Sequence, residues 1–370
     1  MKKLFAGFLA LGMAACQSPQ APEVEIEPKP LFERPANFPE PVFLLESNSL
    51  TQAGFTLGKT LFYDGILSRD SSIACGECHR QYYGFTHHLH DLSHGINGRT
   101  GLRNALPLQN LAWLRSFQWD GSIENLEQQP IFPIEHPDEM DDSMENVVQK
   151  LRSGTTYPAL FKDAYGTEEI SSKKMLNALT QFMMSMVSAD SKYDQVLRRE
   201  KGVAFTEMEQ QGMLLFEAKG CANCHSGVLF TDQSFRNNGL APFERTKVVY
   251  ENGVPRVEVV VDEGRFRVTG LPQDRFRFRV PSLRNVEVTL PYTHDGRFKS
   301  LREVLDFYSD GVQESLTLDP LLRPKMAGGR PGIPMSEDEK TKLIAFLKTL
   351  TDHTFLTDKR FAEPDGFPVR

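Results

Sequence analysis

Cys75-Gly76-Glu77-Cys78-His79 and Cys221-Ala222-Asn223-Cys224-His225 are two copies of one chemical unit. In C-x-x-C-H both sulfurs can form thioethers to porphyrin vinyl groups while the adjacent imidazole takes an axial position on iron. The alternatives are half of a zinc cluster and a redox-active dithiol. Two copies, with no further cysteine nearby to complete a zinc site, favour covalently bound haem c at both. The chain has five cysteines. Four are taken by the motifs and the fifth is Cys16, which leaves no pair for a disulfide.

The surroundings of the motifs also recur. Gly58-x-x-Leu61-Phe62 leads toward the first and Gly212-x-x-Leu215-Phe216 toward the second. Asn110 lies nine residues before Trp119-Asp120-Gly121, and Asn285 nine before His294-Asp295-Gly296. Leu126 and Leu301 each follow seven residues later. The two series diverge at one telling place. Fourteen residues after His294 stands Tyr308, whose oxygen can ligate iron; fourteen after Trp119 stands Pro133, which has no ligand atom. One haem would then be closed on its far side and the other open, as a peroxide-binding haem must be.

The elements expected to position these groups are mostly helices. Apolar spacing and polar starts place them at 142–153, 173–198, 205–218, 299–308 and 336–350. Val257 to Val261 and Arg275 to Val280 are expected to pair as a β-ribbon. The fold class is therefore mainly α, with two cytochrome c-like haem modules related by internal duplication, at 46–200 and 201–355, and a tail at 356–370.

The 370 residues are 40% hydrophobic and 25% charged, which suits a globular chain with substantial cores. A net charge of −7 argues against nucleic acid and is compatible with a basic redox partner. Lys2-Lys3 precedes an apolar run, and Met13-Ala14-Ala15-Cys16 resembles a bacterial lipobox. Residues 1–16 are expected to be a lipoprotein signal peptide, with lipidated Cys16 anchoring a periplasmic protein; an ordinary secretory signal is the alternative. Residues 17–45 hold seven prolines and read as a solvated tether. After the signal, no stretch is long and apolar enough to span a bilayer.

Leu102-Arg103-Asn104-Ala105, Trp119-Asp120-Gly121, Glu139-Met140 following Pro133, and Pro291-Tyr292-Thr293-His294-Asp295-Gly296 complete a pattern. Together with both C-x-x-C-H motifs it resembles the bacterial dihaem cytochrome c peroxidases and the MauG-type dihaem enzymes. The resemblance implies a peroxidatic haem with proximal His79 and a distal pocket of Gln129, Pro133 and Glu139, with Trp119 as electron conduit between the haems. It also implies calcium between the modules, held by the Asn104 side chain and the carbonyls of Thr289 and Pro291, and a possible homodimer. Where typical peroxidases place a methionine on the second haem this chain has Tyr308, as the MauG type does; Met326 and Met335 are the alternatives. His94 falls near a histidine that caps the resting peroxidatic haem in many peroxidases.

The activity implied is reduction of hydrogen peroxide to water, with electrons from a small cytochrome c or cupredoxin passing through the second haem. A MauG-like oxidase acting on a protein or organic substrate, and a plain dihaem electron carrier, are the competing functions. Each residue also has a structural alternative. Glu139 could be a solvated helix-start acid, Tyr308 and Trp119 packed aromatics, and Asn104 a loop-holding amide. His87, His88, His90 and His136 read as surface histidines.

Overall fold

The computed structural model describes residues 30–43, 48–251, 254–324, 326 and 328–364, with backbone alone between 247 and 254. The expected signal peptide at 1–16, with Cys16, and most of the expected tether lie outside the described residues. Residues 31–43, read from sequence as the end of that tether, instead lie on the folded body. Phe32 stacks on Trp113 at 5.7 Å and Phe38 meets it edge-on at 5.0 Å, while Trp113 Nε1 donates to the Pro39 carbonyl at 2.8 Å. The phenylalanines between the prolines bury apolar surface that a tether of prolines and glutamates would lack.

In chain order the elements are α1 (Gln52–Tyr63), α2 (Cys75–Cys78), α3 (Ile131–Glu135), α4 (Met144–Ser153), α5 (Thr156–Tyr165), α6 (Ser172–Met184), α7 (Lys192–Leu197) and α8 (Glu207–Ala218). The short strand β1 (Phe235–Arg236), then β2 (Glu244–Glu251), β3 (Val254–Val261), α9 (Phe266–Thr269), β4 (Phe278–Arg279), α10 (Leu301–Asp306), α11 (Glu337–Lys348) and α12 (His353–Thr357) follow. Helix starts are chemically marked. Thr51, Ser143, Ser171 and Ser300 each accept a first-turn amide, and α7, α8 and α11 open with full capping boxes. Among the described residues no helix is long and apolar enough to cross a membrane.

Two sequence expectations change here. The helix expected over 173–198 is two, α6 and α7. The Ser188 amide between them is taken by Asn110 Oδ1 at 2.9 Å, and Ser191 recaps the chain with Asp194. The expected ribbon also pairs differently. β3 is antiparallel to β2, from Glu244 opposite Val261 to Glu251 opposite Val254, whereas β4 pairs with β1. Asn252-Gly253, a hairpin-turn dipeptide in the sequence, stands between β2 and β3.

α1 crosses α6, and α8 crosses α11, each at a glycine. A methyl group on Gly58 would meet the Ala178 carbonyl oxygen at 2.0 Å, and one on Gly212 the Lys342 carbonyl oxygen at 2.0 Å. The crossings carry two cores. One gathers Leu57, Leu61, Phe62, Leu151, Phe161 and Phe182, and takes in Phe355 and Phe361 from the chain's end. The other is built on Phe216, Phe230, Leu301, Leu343 and Phe346. Between the two halves the fully buried Arg284 grips Asp194 with two 2.8 Å bonds. The recurring asparagines occupy matching places. Asn110 and Asn285 have φ of 57° and 58°, and their side-chain oxygens accept the amides of Ser188 and Asp352.

Candidate active site

Each C-x-x-C-H motif winds into a tight turn that presents its histidine. In the first, α2 carries both cysteines and the His79 amide closes on the Cys75 carbonyl at 2.9 Å. His79 Nδ1 bonds the Phe85 carbonyl at 2.7 Å, and His225 Nδ1 the Phe230 carbonyl at 3.1 Å. Committing Nδ1 to a backbone oxygen fixes the ring and leaves Nε2 as the ligand atom, as in metal-bound histidines generally. Burial holds both imidazoles below their ordinary pKa, toward the neutral form that ligates. It pushes the Cys75 thiol up to about 12 and those of Cys78 and Cys221 up to about 11, so these are not thiolate nucleophiles near neutrality.

Beside the second motif lies a cavity of about 670 Å³, lined by Cys221, Cys224, His225, Phe216, Leu305 and Tyr308 among others. Tyr308 reaches it from a π-helical turn, Phe307–Gly311, that continues α10. Such turns widen the helix by one residue and re-aim side chains. Its hydroxyl, kept protonated chiefly by burial, receives a 3.4 Å bond from Asn238 Nδ2 and lies within electrostatic reach of Cys224 and Cys221. Met335 lines the same cavity, while Met326 is 79% exposed.

The cavity wall also carries Trp119, Asn104, Thr289 and Pro291. Trp119 is buried and donates Nε1–H to the Asn104 carbonyl at 2.9 Å. Asn104 Nδ2 donates to the carbonyls of Asp91 and Pro291 at 3.2 and 3.3 Å. A cation there would need the amide turned over to present its oxygen. Arg103, next in sequence, joins Asp120 at 2.6 Å and Asp262 at 2.6 and 2.8 Å, clamping the loops around Trp119.

Of the groups placed after Trp119, Glu139 lies within electrostatic reach of the first motif. Gln129 accepts from Gln118 Nε2 at 3.1 Å. Pro133, within α3, accepts the Met140 amide on its carbonyl at 3.1 Å, which folds the Glu139 turn back on the helix. Glu139 is crowded by protein, and burial first, then the charge of Asp138, pushes its carboxyl up to about 7. Its side chain nonetheless keeps 36% of its surface accessible, which sets it apart from a core residue. The charge of Glu139 is felt at both Cys75 and Cys78. His94 is exposed, its ring 5.1 Å from that of His90.

Two groups at the site carry no motif. Asn238 is one. The other is Arg279, which is 5% exposed and lines the large cavity; among the described residues its guanidinium bonds only the Gln118 carbonyl, at 3.3 Å, and burial pushes it down to about 10. A buried guanidinium without a carboxylate calls for an anion. In sequence Arg279 is one of several alternating arginines, and only burial singles it out.

Across 330 residues the chain is 35% identical to the methylamine utilization protein MauG of Methylorubrum extorquens, covering 87% of this chain and 84% of the relative. The chain belongs to the di-haem cytochrome c peroxidase and MauG family. The family profile for di-haem cytochrome c peroxidase matches residues 52–202. The cytochrome c551 peroxidase of Nitrosomonas europaea is 32% identical over 295 residues, 80% of this chain and 79% of that one. The crystal structure of a MauG-like protein associated with microbial copper homeostasis superimposes with a TM-score of 0.75 at 31% identity, covering 90% of this chain and 99% of that one.

A di-haem cytochrome c family implies two haem c groups, and the residues present fit them. Each motif offers two thiols and a histidine whose Nδ1 is held by a backbone carbonyl. The second also offers an apolar cavity within the range of about 300–1,000 Å³ typical of ligand sites. Arg279, which meets no carboxylate among the described residues, supplies a cation suited to a propionate.

Proposed function

We propose that this protein reduces hydrogen peroxide to water with electrons from a small cytochrome c or cupredoxin. The observation that carries the reading is Glu139: a part-accessible acid whose charge reaches both cysteines of the first haem-attachment turn, and whose carboxyl burial pushes up to about 7. A plain electron carrier has no use for such a group. The haems, when bound, would supply the iron that takes peroxide and relays electrons, with His79 and His225 as proximal ligands. The chain's own residues do the rest. Glu139 moves a proton between the two peroxide oxygens, and Gln129, oriented by Gln118, hydrogen-bonds the bound peroxide. Pro133 keeps the far side of the first site free of a protein ligand. Trp119, held by the Asn104 carbonyl and the Arg103 clamp, spans the space between the sites. Tyr308, steadied by Asn238, caps the second.

Tyr308 favours a second reading. A phenolate is a hard anionic donor that stabilises oxidised iron, which suits a MauG-like oxidase that draws electrons from a protein or organic substrate. Peroxide consumption by the holoenzyme with a reduced donor protein supports the first reading; substrate oxidation with no external donor supports the second. Low-temperature EPR of the diferric protein bears on both. One high-spin haem indicates an open His79 iron, whereas two low-spin haems indicate a cap such as His94.

The matched glycine crossings and asparagine turns support an internal duplication of two haem modules. The Asn104, Thr289 and Pro291 oxygens remain the proposed calcium site. A periplasmic location with a lipid on Cys16 is the proposed address, tested by labelling the intact chain with radioactive palmitate.

A further inference from the structure

Two arginines are buried among the described residues, and the fold treats them differently. Arg284 meets Asp194 with both terminal nitrogens at 2.8 Å. Arg279 meets no carboxylate there. A guanidinium carries five N–H donors. In Arg279 only the one on Nε has a partner among the described residues, the Gln118 carbonyl at 3.3 Å. The four on the terminal nitrogens have none, and burying such a cation without an anion is strongly unfavourable.

The surrounding carboxylates are committed elsewhere. Asp120 and Asp262 are held by Arg103, and Asp232 and Asp319 by Arg236. Along the same stretch of chain Arg275 pairs with Glu263, Arg277 pairs with Asp274, and Arg265 lies over the Phe235 ring. Of these four arginines only Arg279 lines the cavity beside Cys221, Cys224 and His225. A haem joined to those cysteines through its vinyl groups brings two carboxylates into that cavity, on the porphyrin edge opposite the thioethers.

Arg279 is fixed from behind. Its amide donates to the Trp119 carbonyl at 2.7 Å while Nε donates to the Gln118 carbonyl, so main chain and side chain grip the same two residues. Gln118 has a φ of 64°, and its Nε2 donates to Gln129 Oε1 at 3.1 Å. Trp119 is tied in turn to the Asn104 carbonyl. We propose that Arg279 is a positioning residue that couples the two haem sites: its terminal nitrogens bind a carboxylate of the second haem while Nε holds Gln118, keeping that haem, Trp119 and Gln129 in one fixed arrangement. A planar fork of five donors suits this double hold, and lysine would not reproduce it. The inference needs haem c at the second motif and holds under either reading of the activity.

The test uses the holoenzyme, with attached haems counted by the pyridine haemochrome spectrum. In its crystal structure a haem carboxylate is expected within about 3.2 Å of an Arg279 terminal nitrogen. Spectroelectrochemistry of Arg279→Met then reads the consequence. A cation opposes the extra positive charge of ferric iron, so its loss lowers the second haem's potential. At about 10 Å and an effective dielectric of about 20, one charge changes the oxidised-to-reduced ratio roughly tenfold, a fall of about 59 mV for one electron. The first haem should move less, and Arg279→Lys, which keeps the charge, should return the second toward wild type. Haem carboxylates bonded elsewhere in the crystal structure overturn the inference. So does an unchanged potential in Arg279→Met, or an equal shift at both haems that lysine does not reverse. If Arg279→Met fails to assemble, the wild-type structure still decides. Haem attached at Cys75 and Cys78 alone would remove the carboxylate and overturn the inference as well. A holoenzyme that consumes no peroxide yet shows the contact and the fall in potential loses the peroxidase reading and keeps this one.

Discussion

Replacing Glu139 by glutamine removes a titrating carboxyl and keeps nearly the same shape. If the residue only shaped the cleft, the isosteric change would cost under about 1 kcal/mol, less than tenfold in rate. As a general acid–base it would cost roughly 10²–10⁴-fold, about 2.7–5.4 kcal/mol of barrier. Tenfold is therefore the dividing line, read from stopped-flow peroxide consumption with reduced donor at pH 7, with haem content checked by the pyridine haemochrome spectrum. Stability gives an independent check with a definite sign. The folded value of about 7 lies above the ordinary 4.5, so the folded chain holds a proton that the unfolded chain releases. The protonated carboxyl thus contributes stability fully present below about pH 4.5 and lost as pH rises through 7. With 36% of the side chain accessible, solvent keeps the effect well below the full 1.36 kcal/mol per pH unit. Melting temperatures of wild type and Glu139→Gln should diverge in the variant's favour between pH 4.5 and 7. Wild-type turnover in the variant, or a difference in melting that ignores pH, refutes the reasoning.

Gly212→Ala should destabilise, because its methyl would press on the Lys342 carbonyl at 2.0 Å. Overpacking costs about 1–3 kcal/mol and outweighs the gain in helix propensity of about 1, which urea unfolding would measure. Asp194→Asn strands the buried Arg284 guanidinium and should cost about 3–5 kcal/mol in the same assay. Tyr308→Met exchanges a hard phenol for a soft thioether, and spectroelectrochemistry should show the second haem easier to reduce; an unchanged potential would remove Tyr308 from the iron. Trp119→Phe loses the bond to the Asn104 carbonyl and should slow donor-dependent turnover while leaving peroxide binding intact.

Much of the site could be read directly from the sequence because covalent haem attachment is a local chemistry. Two thioethers and an axial histidine need five consecutive residues, so Cys75 to His79 and Cys221 to His225 announce themselves without a fold. Polar capping residues and apolar spacing likewise marked α4, α8 and α11, since helix ends and faces are set by near neighbours. The family pattern named Glu139, Gln129 and Tyr308 through spacing from Trp119 and His294. The tertiary structure decided what depends on partners distant in the chain. The break between α6 and α7 comes from Asn110, 78 residues away from the Ser188 amide it takes. β3 pairs with its hairpin neighbour because a short turn costs little closure entropy, and that frees β4 for β1. Glu139 owes its raised pKa to burial, and Arg279 its need for an anion; neither exists until the chain folds around them. His136 sits 4.0 Å from Glu139 only because two backbone amides bond its carbonyl and draw the turn shut. Residue types and short spacings are written in the chain, but burial, electrostatics and long-range pairing arise only when remote segments exclude water from one another.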